Sequence, residues 1–310
     1  MSYEKPKILL TTPILTFIEP QLQEHYGVVH AWEAAPDQVF PDVRALVCLG
    51  HQLVEPFVDR CPALDLIACY TTGYDGIDVA RAHERGQAVT HAPRATSYAV
   101  AEFALALMLS AFRNLVVGDR VVRGGEWGSS GARIGRSLIG ARLGIVGLGD
   151  IGVELGKLAE ALGMEVAWWG PRPKPDAKWP GASSLLELAA ASDVIAICAR
   201  ADDSNRGLIS AEVIEAVGPS GLIVNVARGQ LIDEDALIAA LRDGRLGGAA
   251  LDVFETEPTP ASRWLDVPGM ITTPHIGGAT VQATAQMTHL LLENLACFFA
   301  GRPLPSPVRP

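Results

Sequence analysis

The sequence predicts an α/β protein with two doubly wound parallel sheets, one domain being inserted in the chain of the other. Three observations predict it. Short apolar runs alternate with amphipathic stretches from Ile8 to Thr90, and the alternation resumes from Leu143 to Thr273. The final amphipathic stretch, Val281 to Phe299, lies too far along to add another strand unit and is expected to return to the first domain. The expected domains are therefore residues 1–96 with 282–310, and residues 97–281.

Composition bounds the function classes. A chain of 310 residues, 49% hydrophobic and 19% charged, can bury two cores. No apolar run approaches a bilayer span, and the start from Met1 to Lys7 carries no secretory apolar stretch. A cytoplasmic location without membrane attachment is the expectation. Cys48, Cys61, Cys69, Cys198 and Cys297 are scattered and odd in number, without metal-ligand spacing, so they read as reduced, mostly buried thiols and no metal site is expected. A formal net charge of −10 disfavours nucleic acid or an acidic membrane as partner, and an anionic substrate would need local cations.

In chain order, Ile8-Leu9-Leu10, Ala45 to Leu49, Leu66 to Tyr70 and Ala88-Val89-Thr90 read as strands, with helical stretches at Val54 to Arg60 and Ile77 to Arg85. Thr71 to Asp78 is a loop at the carboxyl end of a strand, where open α/β sheets place ligands; it also reads as a Gly-Asp turn capping the next helix. Ser97 to Val122 lacks proline and carries apolar residues at helical spacing, which predicts one long helix with Ser97 as its N-cap. Strands are then expected at Gly144 to Val146, Val166 to Trp169, Val194 to Cys198, Leu222 to Val226, Ala249 to Val253 and Ile271 to Thr273. Helices are expected at Glu154 to Leu162, Ala211 to Val217 and Glu234 to Leu241.

The chemistry centres on Gly147-Leu148-Gly149-Asp150-Ile151-Gly152, an apolar run turning through G-x-G-x-x-G into a helix. Gly147 makes the turn, Gly149 lets backbone approach a pyrophosphate, and Gly152 lets helix pack on strand, with helix N–H groups facing the phosphates. Alone, the motif also reads as a glycine-rich βα turn. Three later loops weigh on the choice: Arg228, Glu257 and His275 each follow a strand and fall at the same edge of one sheet. Singly they read equally as a solvated cation, a turn acid and a structural histidine. Together they form a set for reducing a 2-keto acid beside a nicotinamide: the guanidinium holds oxygens through paired donors, the imidazolium supplies the proton, and the glutamate orients the imidazole.

These motifs resemble those of the D-isomer-specific 2-hydroxyacid dehydrogenases, over nearly the whole length. Arg228, Glu257 and His275 fall on that family's catalytic Arg, Glu and His, and Thr71 to Asp75 resembles its carboxylate-receiving loop, with Thr72, Gly73 and Tyr74 as substrate contacts. Val100-Ala101-Glu102 and Leu251-Asp252-Val253-Phe254 are also family-like, which puts Asp252 among the cofactor residues. The resemblance implies a Rossmann-type nucleotide-binding domain inserted in a flavodoxin-like substrate domain, and a homodimer formed through the nucleotide-binding domains. It implies reduction of a small anionic 2-keto acid, with glyoxylate and hydroxypyruvate as the working substrates.

One departure bears on the cofactor. Where NAD-preferring members carry an Asp that accepts from the adenosine ribose, this chain has Trp168-Trp169-Gly170-Pro171-Arg172-Pro173-Lys174. The missing acid removes repulsion toward a 2′-phosphate, and Arg172, with Lys174 as a weaker candidate, supplies the opposite charge. NADP(H) is the favoured cofactor and NAD(H) the alternative. Arg200 reads equally as a further phosphate contact and as a surface residue. Leu49, Gly50 and His51 follow an early strand and are expected to border the substrate side chain with Tyr74, although His51 reads rather more as an exposed loop histidine than as a specificity residue. Competing functions are a nucleotide-sensing regulator on the same fold, a reductase for larger aryl or alkyl 2-keto acids, and a formate or phosphite enzyme. The last is disfavoured, because a formate enzyme is expected to pair Gln with the histidine.

Overall fold

The structure is a computed structural model that describes residues 5–128 and 134–309. The first four residues, part of the N-terminal stretch read above, lie outside the described residues, as do 129–133 and 310. The chain divides into two compact units, Met1–Thr96 with Thr280–Pro310, and Ser97–Ala279.

In the first unit, strands β1 (Lys7–Leu10), β2 (Gly27–His30), β3 (Val43–Cys48), β4 (Leu66–Cys69) and β5 (Ala88–Thr90) form a parallel sheet in the order β2-β1-β3-β4-β5. This is the flavodoxin-like order, whose switch point lies between the first and third strands. All four residues of β4 are buried, as expected of a parallel strand covered on both faces. Strand β2 went unread in the sequence because it is a short edge strand, half-buried throughout, with no sustained apolar run. Helices α1 (Glu19–Gln23), α2 (Glu55–Val58) and α3 (Val79–Glu84) are short. Asp78 caps α3 by accepting the Arg81 N–H at 3.0 Å, so the Thr71–Asp78 loop does end in a helix cap.

The second unit opens with a correction. The single helix expected from Ser97 to Val122 is two, α4 (Ser97–Phe112) and α5 (Leu115–Arg123), bent by 60°. Asn114 sits between them at φ 52°, a left-handed conformation that Asn tolerates better than most residues and that no α-helix can continue through. Ser97 is the first helical residue rather than the flanking cap.

Strands β6 (Arg142–Val146), β7 (Glu165–Trp169), β8 (Val194–Ile197), β9 (Leu222–Asn225), β10 (Gly248–Leu251) and β11 (Met270–Thr272) follow, in the order β11-β10-β9-β8-β6-β7 and all parallel. Gly181 makes a single parallel bridge to Trp168 beyond β7. Counting that bridge as a strand reduced to one residue, the order from this edge is 3-2-1-4-5-6-7, which contains the Rossmann order. Helices α6 (Asp150–Ala161), α7 (Leu185–Ala191), α8 (Ala211–Val217) and α9 (Glu234–Arg242) connect the strands. Alternate residues of β8 serve opposite faces: Ile195 and Ile197 join one core with Leu237 and Ile214, Val194 and Ala196 the other with Met108 and Leu155.

Helix α10 (Val281–Phe299) returns to the first unit, where Met287, Leu291 and Leu295, spaced by four, pack in one core with Leu66 and Ala68. Among the described residues no single helix is long and apolar enough to cross a membrane. All five cysteines are free thiols, four of them buried.

Candidate active site

The glycine turn after β6 is built as its spacing requires. Gly147 has φ +93°, and a Cβ there would lie 2.6 Å from the Ala199 Cα; its N–H binds the Trp169 carbonyl at 2.8 Å. A Cβ on Gly152 would lie 2.4 Å from the Gly147 carbonyl oxygen, so helix and turn touch backbone to backbone. At Gly149 the reason differs: nothing lies within 4 Å of its Cβ direction, and it precedes an α6 N-terminus that no side chain caps. Protein packing does not demand that glycine, whereas a phosphate approaching the helix end does. The turn, with Leu148, Asp150 and Ile151, fits a dinucleotide.

Beyond β7, Gly170 leaves room: a Cβ there meets only the Trp168 ring, at 3.5 Å. Arg172 is exposed and makes no hydrogen bond or ion pair among the described residues. The Lys174 ammonium donates to the Leu148 carbonyl inside the glycine turn. Arg200 is exposed, and its carbonyl accepts from Asn205 at 2.8 Å.

Three loops leave the carboxyl ends of β9, β10 and β11. Half-buried Arg228 follows β9, and Gly229 beside it would put a Cβ 1.8 Å from the Phe254 carbonyl carbon, which locks this loop against the one after β10. Arg228 donates to its neighbour's carbonyl, Ala227 O, at 2.7 Å. Glu257 uses both carboxylate oxygens: Oε1 accepts the Phe254 N–H at 2.9 Å, and Oε2 meets Nδ1 of His275 at 2.7 Å. His275 itself stands at φ +53°, a conformation that costs a non-glycine residue energy and is held by its surroundings.

Asp252 does much of that holding. It is 2% exposed, and its carboxylate accepts from Thr273 Oγ1 at 2.6 Å, Ile276 N–H at 3.0 Å and Gly277 N–H at 2.8 Å, while its carbonyl accepts the His275 N–H at 2.8 Å. The carboxylate is thus turned into the protein, clamping the loop on both sides of the histidine. Asn225, fully buried, does the same for Arg228: Nδ2 donates to the Arg228 carbonyl at 2.9 Å and Oδ1 accepts the Ala227 N–H at 3.0 Å. Sequence reasoning missed Asn225 as a site residue; the available signal was an amide ending an otherwise apolar strand.

The Thr71–Asp75 loop belongs to the first unit, at the end of β4. Thr72 Oγ1 donates to the Ala92 carbonyl at 2.7 Å, the Thr72 carbonyl lies 2.9 Å from His91 Nδ1, and Tyr74 packs edge-on against the His91 ring at 5.1 Å. The N–H groups of Thr72 and Gly73 make no hydrogen bond among the described residues. Leu49, expected beside the substrate, is instead a core residue, 8% exposed, whereas His51 is exposed.

A Rossmann-ordered sheet, a glycine turn at an uncapped helix and a carboxylate-bound imidazole at the same sheet edge define a nicotinamide-dependent oxidoreductase. The comparisons agree. Residues 105–277 match the family model described as D-isomer specific 2-hydroxyacid dehydrogenase, NAD binding domain, and the chain belongs to that family. It is 34% identical over 318 residues to a glyoxylate/hydroxypyruvate reductase of Arabidopsis thaliana, covering 99% of this chain and 98% of the relative. It is 31% identical over 307 residues to a hydroxyphenylpyruvate reductase of Plectranthus scutellarioides, covering 97% and 98%. The solved structure of an NADPH-dependent glyoxylate/hydroxypyruvate reductase from Sinorhizobium meliloti, in complex with NADP and malonate, superposes with TM-score 0.91 at 32% identity, over 98% of this chain and 97% of that one.

Proposed function

We propose that this protein reduces small 2-keto acids to D-2-hydroxy acids with NADPH, glyoxylate and hydroxypyruvate being the working substrates. The observation that carries the reading is the Glu257–His275 pair, 2.7 Å apart, its histidine on a loop clamped by Asp252, at the same carboxyl edge of the sheet as the dinucleotide turn. NADPH, when bound, supplies the hydride. Glu257 engages Nδ1, so Nε2 of His275 is the nitrogen that delivers the proton to the carbonyl oxygen. Arg228 holds the keto acid by its planar fork, and the unspent N–H groups of Thr72 and Gly73, with Tyr74 beside them, receive the carboxylate.

The preference for NADPH over NADH is supported by Gly170 and exposed Arg172, which together remove a carboxylate and offer a guanidinium to a 2′-phosphate. The unit Ser97–Ala279 is proposed as the dinucleotide-binding domain and the other unit as the substrate domain. Association as a homodimer through the nucleotide-binding unit is supported by α5, which buries none of its residues and exposes Leu115, Val117 and Val122. A cytoplasmic location completes the proposal.

The test is a panel of 2-keto acids, from glyoxylate and hydroxypyruvate to hydroxyphenylpyruvate and branched alkyl acids, assayed with NADPH and with NADH. Reduction of the two small acids with NADPH preferred is the expected result. Strong preference for the aryl acid would move the substrate class, and nucleotide binding without turnover of any member would favour the regulatory reading.

A further inference from the structure

We infer that the Thr71 hydroxyl is the positioning residue of the loop that takes the substrate carboxylate, an inference that rests on the reading just proposed. Its oxygen accepts the Gly50 N–H at 2.9 Å and donates to the Gly73 carbonyl at 2.9 Å. A single hydroxyl so uses its acceptor and its donor at once, joining the loop after β3 to the loop after β4. The two loops meet backbone to backbone: a Cβ on Gly50 would lie 1.6 Å from the Gly73 carbonyl oxygen, and one on Gly76 would lie 2.4 Å from the Gln52 carbonyl oxygen. The Gly76 N–H closes the ring by donating to the Gly50 carbonyl at 2.7 Å.

Within this ring the polar groups around Thr72 and Gly73 are already engaged. The Gly73 carbonyl also accepts the Cys69 thiol at 3.3 Å, and the Thr72 hydroxyl and carbonyl are held by Ala92 and His91. What remains presented is the pair of N–H groups on Thr72 and Gly73, and their direction follows from where Thr71 pins the Gly73 carbonyl. Gly50 is buried, so its N–H has no water to replace a lost hydroxyl. Valine at position 71 keeps the volume and removes both bonds.

The experiment compares wild type, Thr71→Val and Thr71→Ser. Three quantities are measured: the KM for glyoxylate, the affinity of the NADPH-loaded protein for oxalate by calorimetry, and the NADPH dissociation constant by tryptophan fluorescence. Thr71→Val is expected to weaken glyoxylate and oxalate by about tenfold, the scale of one lost hydrogen bond. NADPH affinity should hold, and Thr71→Ser should restore both anions. Wild-type KM and oxalate affinity in the valine variant would overturn the inference. So would a serine variant as impaired as the valine one, or a parallel loss of NADPH affinity, which would mean general damage. If wild type reduces no 2-keto acid yet binds oxalate in a Thr71-dependent way, the functional reading fails and the role of Thr71 stands. No oxalate binding by wild type would remove it.

Discussion

Glu257 and His275 are joined through Nδ1 at 2.7 Å, and the second oxygen of Glu257 is anchored on the Phe254 N–H at 2.9 Å. The carboxylate is therefore fixed before it meets the ring, and the ring can rotate little about a bond that already satisfies one nitrogen. His275→Ala is expected to lower kcat by roughly 10² to 10⁴ with NADPH binding retained. Glu257→Gln keeps a hydrogen-bonding shape but loses the charge, and a smaller drop of about tenfold to a hundredfold is expected. Steady-state kinetics with glyoxylate and a separate NADPH titration check both, and near-normal turnover in His275→Ala would remove that residue from the chemistry.

In the proposed reading, cofactor choice turns on one absent carboxylate and one guanidinium. Arg172→Ala should erode the NADPH preference by about 10-fold to 100-fold, or about 1.4 to 2.8 kcal/mol. Gly170→Asp should shift preference toward NADH, since a Cβ there meets nothing closer than the Trp168 ring at 3.5 Å. The ratio of kcat/KM for the two cofactors is the measurement; unchanged NADPH kinetics in Arg172→Ala would sink the assignment.

Asp252 offers a separable test. Removing its carboxylate leaves the Ile276 and Gly277 N–H groups unpaired around His275 and leaves the Thr273 hydroxyl only a long contact to the Leu251 carbonyl, at 3.5 Å. Asp252→Ala should lose about 3 kcal/mol of stability in urea unfolding and at least about tenfold in kcat. If the side chain works chiefly by clamping the loop, NADPH affinity should move much less than kcat. A large loss of NADPH affinity with kcat preserved would make Asp252 a cofactor contact first.

His30 gives a pH dependence away from the site. Burial pulls its imidazole down, but hydrogen bonds to Glu33 and Glu19 outweigh burial and hold it above the ordinary histidine range. With the folded value raised, the contribution to stability is full below the unfolded histidine pKa of about 6.5 and is lost as pH rises through the folded value. The stability gap between wild type and His30→Gln should therefore be larger at pH 5.5 than at pH 8.5. A gap that widens on the alkaline side would contradict this sign.

Several features were legible in the sequence because they are local. Buried parallel strands are continuous apolar runs, so β4 and β8 read directly, and the spacing of Gly147, Gly149 and Gly152 carries its own geometry. The types of residue needed for keto-acid chemistry were also readable, since Arg228, Glu257 and His275 each follow a strand at the same edge. Helix periodicity failed at Asn114, where apolar spacing continues through a residue whose left-handed backbone ends the helix.

The sequence by itself determined the layer order, the glycine turn, the absence of an acid at position 170 and the inventory of reactive side chains, because each is encoded in residues adjacent along the chain. Only the tertiary structure decided which groups hold one another. Asp252 reaches Gly277 across 25 positions and Thr71 reaches Gly50 across 21, and these clamps exist because parallel strands bring their carboxyl ends side by side. The same packing set the Lys174 ammonium on the Leu148 carbonyl. A charge or hydroxyl in sequence states what a residue can donate or accept; its partner is set by which backbone groups the folded loops leave unpaired within reach.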